Sequence, residues 1–75
     1  MPRYFFHVIG DHESRDTEGE EFPGPEDALE EARRVASELS ESHAPGEMIG
    51  RAIQVMDHNG DEIGVVPLAP RSFLH

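Results

Sequence analysis

The chain has 75 residues, enough for one small domain, and a formal net charge of −10 from 16 acidic residues against 6 arginines. The absence of cysteine excludes disulfides and thiolate zinc sites. The acidic balance disfavours nucleic acids and anionic membranes as partners and favours a basic protein. No stretch approaches the roughly 20 apolar residues that span a bilayer, and no leader-like segment is visible, so we expect a cytoplasmic protein.

The first predicted element is a strand over Arg3–Ile9, rich in aromatic and β-branched residues and ended by Gly10. Successive side chains of a strand point to opposite faces, so this strand is apolar on both. A weaker and shorter strand is predicted over Asp16–Phe22, where Gly19 suggests a bulge or bend. The large apolar residues of the first strand are Tyr4, Phe5, Phe6, Val8 and Ile9.

The segment PGPEDALEEARRVASELSES predicts a helix that begins at Pro25 and frays near Ser42. Glu26 and Asp27 fall in its first turn, where the helix dipole favours negative charge. Apolar residues recur at the spacing of one helix face, and the small ones allow close approach to a sheet. That face consists of Ala28, Leu29, Ala32, Val35, Ala36 and Leu39.

A β-hairpin is predicted after the helix, with strands over Ala52–Asp57 and Glu62–Leu68. Asn59-Gly60 between them is a strong signal for a two-residue type I′ turn, because both residues tolerate positive φ. Pro67 makes the last strand an edge strand. Residues 69–75 are expected to form a tail that is either flexible or docks elsewhere through its apolar residues Phe73 and Leu74.

These elements predict one α+β domain over residues 1–75, with the order β-β-α-β-β and one helix packed on a four-stranded, mainly antiparallel sheet. One helix covers one face of such a sheet, so the other face of the first strand stays apolar and open. A bare apolar face is unusual on a monomer. We therefore expect the tail, a second copy of the chain or another protein to cover it. The candidate interface residues are Tyr4, Phe5, Phe6, Val8, Ile9 and Phe73.

The chain resembles an uncharacterised family of short bacterial proteins, a domain of unknown function. The resemblance is carried by the opening MPRYFFHV, the D-x-E-G-x-E stretch of Asp16–Glu21, the alanine-spaced helix and VMDHNGDEIGVVPL, and it extends to about Leu68. Gly24 stands where members of that family often have Asp, so the usual helix N-cap is absent. The family has no established activity, and the resemblance therefore implies no catalytic residue.

A looser likeness connects the chain with the antitoxin partners of small bacterial RNA-cleaving toxins. Those proteins also open with a short β-hairpin that leads to an acidic, alanine-rich helix, and FPGPEDALEEA is similar to that junction. No DNA-binding segment follows here. The likeness is one of pattern, and it implies a binding role.

Patterns that carry chemistry are weak in this sequence. Asp57-x-Asn59-x-Asp61 is similar to the start of a calcium loop, but Glu62 and Leu68 replace the required Gly and Glu. The five histidines lack metal-ligand spacing, and no serine lies in a nucleophile motif. We expect no catalytic residue, no cofactor and no metal.

The sequence thus predicts a small acidic binding module without catalytic activity, acting through a sheet face or an acidic surface. Its partner would be a second copy of itself, as a homodimer, or a basic protein. The alternatives are an antitoxin-like neutraliser of a basic protein and a small metal-dependent protein. The residues of the candidate acidic surface are Asp16, Glu18, Glu20 and Glu21.

Overall fold

The computed structural model describes residues 2–10, 13–42 and 50–68. Four strands form one antiparallel sheet in the order β2-β1-β3-β4, and one helix lies between β2 and β3 in the chain. This is the α+β architecture predicted from the sequence, and that prediction is confirmed. The predicted tail, with Phe73, lies outside the described residues. The elements are β1 (Arg3–Ile9), β2 (Glu20–Glu21), α1 (Pro25–Ser42), β3 (Ala52–Asp57) and β4 (Glu62–Pro67).

The helix α1 lies close to the sheet because its inner stripe is made of alanine. Ala28 and Ala32 are fully buried, and Ala36 is nearly so. Their small side chains let larger residues of the sheet fill the space between the two layers, which is how a small core reaches interior packing density. No helix of the described residues is long and apolar enough to cross a membrane.

The core lies between α1 and one face of the sheet. Tyr4 of β1 is 4% exposed and lies in the same buried cluster as Ile53 and Val55 of β3. The ring of Phe22 packs at 6.2 Å from that of Tyr4 and edge-on at 5.9 Å from that of Phe6, measured between centroids. The side of β1 that faces the helix is therefore the Tyr4, Phe6 and Val8 side.

The second strand is shorter than predicted. Of the segment Asp16–Phe22, only Glu20–Glu21 pairs as β2, opposite Arg3 and Tyr4. Gly19 has a φ of 71°, which turns the chain away from the extended conformation. The residues before it approach β1 through side-chain contacts instead of a regular ladder.

The hairpin turn differs from the type I′ turn expected at Asn59-Gly60, and that expectation was wrong. Gly60 has a φ of 86°, but Asn59 has no positive φ. The N–H of Gly60 donates to the carbonyl of Asp57 at 3.1 Å, and the N–H of Asp57 donates to the carbonyl of Asp61 at 2.9 Å. These hydrogen bonds define a hairpin loop that is one residue longer than the two-residue type I′ loop. Gly60 is its last residue and is the one in the left-handed conformation.

The side chain of Asp57 explains why the longer turn is preferred. Its Oδ1 accepts the N–H groups of Asn59 and Asp61, each at 2.9 Å. An aspartate that bonds the backbone two residues ahead mimics a backbone turn and holds the loop. Of the three polar residues that suggested a calcium loop, Asp57 uses its carboxylate to hold the turn, and Asn59 and Asp61 contribute backbone groups to it.

Candidate binding surface on the sheet

The open face is the side of the sheet turned away from α1. No helix or strand among residues 2–10, 13–42 and 50–68 packs on it. Val65 lies on this face and is 44% exposed. Among the described residues it is the one large apolar side chain that is exposed. Across β1, β3 and β4 the rows of the open face are Phe5–Met56–Glu62, His7–Gln54–Val65 and Ile9–Ala52–Pro67.

The structure divides the candidate interface residues between the two sides of the sheet. Tyr4, Phe6 and Val8 pack into the core under α1, so they offer little surface to a partner. Phe5 and Ile9 lie on the open face, each partly exposed. The alternation along β1 could be read from the sequence, but which side the helix covers could not, because both sides are apolar.

Asp16 takes the place of a neighbouring strand along the outer edge of β1. Its Oδ2 accepts the backbone N–H of Phe6 at 3.3 Å, and its Oδ1 accepts those of Glu18 and Gly19 at 3.0 and 3.1 Å. Its own N–H donates to Nδ1 of His7 at 3.0 Å. One aspartate therefore fixes a loop, the edge of a strand and the orientation of a ring on the open face.

The ionised form of Asp16 is favoured by these contacts. Burial alone would raise the pKa of its carboxyl group. The N–H donors of Gly19, Phe6 and Glu18, together with the His7 ring, outweigh that effect and hold the pKa below its ordinary value of 3.8. Asp16 is thus a structural carboxylate, unlike the exposed Glu18, Glu20 and Glu21 with which it was grouped.

Gly19 completes this arrangement because no other residue fits its position. A Cβ there would lie 2.8 Å from the carbonyl oxygen of Tyr4 and 2.8 Å from the ring of Phe5. The loop therefore passes directly against β1 and one end of the open face. Sequence reasoning did not find the Asp16 contacts, although an aspartate three residues before a glycine is a signal for such a turn.

The outer edge of β1 is closed further by Ser14. Its N–H and carbonyl exchange hydrogen bonds with Val8 at 2.9 and 2.8 Å. Together with β2 and the Asp16 carboxylate, this bridge pairs the backbone along β1. A strand from another molecule cannot add here without displacing the loop.

The opposite edge, along β4, is blocked in a different way. The N–H of Leu68 bonds inward to the carbonyl of Arg51 at 3.0 Å. Along an antiparallel strand, the backbone N–H and C=O groups of successive residues point alternately toward and away from the neighbouring strand. The backbone groups of Val65 and Pro67 therefore point away from β3. Pro67 has no N–H to offer, and the register shift opposite Val55/Met56 interrupts the strand at its other end. The sheet is thus protected at both edges and open on one face.

The described residues border depressions on both sides of the molecule, of which a pair bears on the candidate surface. One, of about 280 Å³, lies at the β1 side of the open face and is bordered by His7, Val8, Ile9, Glu13, Arg15 and Gln54. The other, of about 530 Å³, lies at the start of α1 and is bordered by Glu26, Asp27, Leu29, Glu30 and Arg33. Within the described ranges, no group of three or more His, Asp or Glu side chains is placed to hold a metal ion.

Comparison with known proteins identifies a family relationship and nothing more specific. A family model described as a domain of unknown function (DUF6894) matches residues 3–69. The searches of curated proteins and of solved structures find no match to the chain. The matched span includes all five secondary-structure elements, so the family match extends over the whole sheet and its helix.

Proposed function

The chain belongs to the DUF6894 family of domains of unknown function, and on that premise we propose that it is a protein-binding module without catalytic activity that acts through the open face. The observation that carries this proposal is the contrast between closed edges and an open face. A partner that added a strand would meet the Asp16 loop on one side and Pro67 on the other. A partner that packs on the face meets apolar side chains on which no helix or strand of the described residues packs.

The size of the domain supports the same proposal. The buried core of the described residues contains three alanines and only four larger side chains, Tyr4, Ile53, Val55 and Leu68. Small cores usually need a disulfide, a metal or a partner to add stability. The chain has no cysteine, so disulfides are excluded, and covering the open face with a partner is one of the routes that remain.

Charge adds a preference for the kind of partner. Glu18, Glu20 and Glu21 are exposed beside β1 and lead directly into the acidic first turn of α1. Such a border attracts a basic protein surface over a distance of about a Debye length. An antitoxin-like role is the special case in which that basic protein is a toxin. The proposal places this activity in the bacterial cytoplasm.

Site-specific photo-crosslinking tests the proposal. A photoreactive amino acid at Met56 reports on the open face, and the same amino acid at Ser37, exposed on α1, serves as the matched control. We expect crosslinks in the native cell from Met56 and not from Ser37. The crosslinked protein is then purified, and Met56→Glu should weaken its binding while Ser37→Glu should not.

Equal crosslinking from both positions, or none from Met56, would contradict the proposal. So would a purified partner that binds the Met56→Glu variant as well as the wild type. Circular dichroism of each variant separates loss of binding from loss of fold, since an open-face glutamate leaves the buried side of the sheet unchanged.

A further inference from the structure

We infer that the open face carries a recognition site for a carboxamide side chain, that of glutamine or asparagine, on the protein that packs there, and that His7 and Gln54 bind it. This inference rests on the proposed function, because the site lies on the same face. Two hydrogen bonds, each of which orients one of these two side chains, support it.

The ring of His7 is fixed in one tautomer. Its Nδ1 accepts the backbone N–H of Asp16 at 3.0 Å, and a ring nitrogen that accepts a hydrogen bond carries no proton. The neutral ring therefore has its proton on Nε2. Because the two nitrogens lie on different sides of the imidazole, the Nε2–H group is turned away from the Asp16 loop and is a donor on the open face.

The amide of Gln54 is oriented by Glu62 in a similar way. Its Nε2 donates to Oε1 of Glu62 at 2.8 Å. An ionised carboxylate only accepts hydrogen bonds, so the NH₂ group of Gln54, and not its carbonyl, must face Glu62. Oε1 of Gln54 is therefore turned away from Glu62. Neither this oxygen nor Nε2 of His7 has a hydrogen bond within the described residues.

The two side chains form the middle row of the open face. His7 of β1 lies directly opposite Gln54 of β3, which places their Cβ atoms about 5 Å apart. Both border the depression of about 280 Å³. A partner that covers the apolar rows on either side removes water from this pair, and hydrogen bonds made there become stronger. The flanking rows are Phe5–Met56 and Ile9–Ala52.

A donor beside an acceptor selects the chemistry of the ligand. A primary carboxamide has its carbonyl and one N–H on the same side, so it can accept from His7 and donate to Gln54 at once. A trans peptide group directs its N–H and its carbonyl to opposite sides and satisfies just one of the two. A carboxylate offers no donor to Gln54, and an ammonium or guanidinium group offers no acceptor to His7. The pair therefore favours glutamine or asparagine.

The charges near the pair agree with a neutral side chain on a basic partner. Glu13, Asp16 and Glu62 outnumber Arg15 around the depression and the two oriented side chains. A carboxylate is repelled by this surplus of negative charge. Cationic residues that neighbour the carboxamide on the partner are attracted by it, and they bring the carboxamide to the face.

NMR titration with matched peptides tests the inference. The probes are acetyl-Arg-Gln-Arg-methylamide and the same peptide with methionine, which has about the length of glutamine but no amide. Both peptides have the same charge and the same backbone. The glutamine peptide should shift the side-chain signals of His7 and Gln54 and bind about 3- to 10-fold more tightly, the effect of one or two hydrogen bonds.

Variants of the pair identify the two groups that bind. Gln54→Met removes the acceptor and should abolish the preference for glutamine, while Ser37→Met, at an exposed position of α1, should retain it. His7→Phe removes the donor but keeps a ring, and it should also abolish the preference. NMR of the ring nitrogens gives a readout without any peptide. At about pH 8, where histidine is neutral, Nε2 of His7 should be protonated and Nδ1 should not.

Equal binding of the two peptides to the wild type overturns the inference, as does a preference that survives in Gln54→Met or a His7 ring with its proton on Nδ1. Adenine also has a donor beside an acceptor, so adenosine that binds more tightly than the glutamine peptide overturns the choice of a protein side chain. If Met56 crosslinks to a protein while the peptides bind equally, only the inference fails. If the peptides bind equally and Met56 crosslinks to nothing, both fail.

Discussion

The carboxylate of Asp16 accepts the backbone N–H of Phe6 at 3.3 Å, at a point of β1 where a neighbouring strand would supply a carbonyl. Asp16→Ala removes this acceptor and those for Glu18 and Gly19. Leaving a partly buried N–H without a partner costs about 1–3 kcal/mol. We expect urea unfolding to show a loss of that size, and a smaller one for Asp16→Asn, which keeps one side-chain oxygen. An alanine variant as stable as the wild type would mean that water replaces the carboxylate at no cost.

Asp16 also predicts how stability depends on pH. Its folded-state pKa lies below 3.8, so its contribution is present above that value and is lost as the pH falls through the folded pKa. The free energy of unfolding should therefore decline as the pH falls through 3.8 and below, more steeply in the wild type than in Asp16→Asn. Glu31, whose pKa is lowered by its hydrogen bond with Arg34, contributes equally to both proteins. Parallel curves would show that Asp16 titrates alike in the folded and unfolded chains.

Gly60 should be the sensitive position of the hairpin. Its φ of 86° disfavours any β-branched residue, although nothing lies within 4 Å of where a Cβ would be. Gly60→Val should therefore cost about 1–3 kcal/mol through the backbone alone. Gly60→Asn should cost less, because asparagine tolerates the left-handed region. Thermal unfolding of the two variants measures the difference, and identical melting of valine variant and wild type would exclude this turn geometry.

Gly19 should be more sensitive than Gly60 to the same substitution. Both glycines have positive φ, but only at Gly19 would a Cβ approach a backbone atom to 2.8 Å. Gly60→Ala carries the conformational cost alone, about 1 kcal/mol, and Gly19→Ala adds steric overlap of about 1–3 kcal/mol. Chemical unfolding of both variants compares them directly. Equal losses would indicate that the loop moves away from β1 without difficulty.

The exposed acids beside β1 should steer a basic partner. For the partner captured from Met56, the association rate should fall as salt rises, since the Debye length is about 8 Å at physiological ionic strength. Replacing Glu18, Glu20 and Glu21 with lysine should reduce the association rate more than it raises the dissociation rate. Stopped-flow or surface-based kinetics at low and high salt decide the matter. A salt-independent rate, unchanged in the triple variant, would leave solubility as the role of these acids.

The bounds of β1, α1 and β3 could be predicted from the sequence because local patterns determine them. Alternating aromatic and β-branched residues, a proline at the first helical position and an alanine stripe each specify one element. The prediction for β2 was too long, since the backbone there is shaped by the contact between Asp16 and β1. That contact joins residues ten positions apart and leaves no periodic trace in the sequence.

The turn and the candidate surface show two other limits. Asn59-Gly60 has the composition of a type I′ turn, but the carboxylate of Asp57 competes for the backbone and stabilises a longer one. The split of Tyr4 from Phe5 depended on which side the helix covers. The covered side is determined by how Ala28 and Ala32 pack against the sheet, and this tertiary packing cannot be read from the spacing of residues in the sequence.

The pairing of β1 with β3 has a consequence for synthesis of the chain. It joins Tyr4 to Asp57 and Ile9 to Ala52. The central ladder of the sheet therefore cannot form completely until the chain as far as Asp57 has left the ribosome. Until then an aromatic strand emerges with neither face covered. Contacts of such long sequence separation form slowly, and the nascent chain is open to chaperones and to aggregation in the interval. The acidic stretch that follows β1 is translated next, and like charge on neighbouring chains opposes their association.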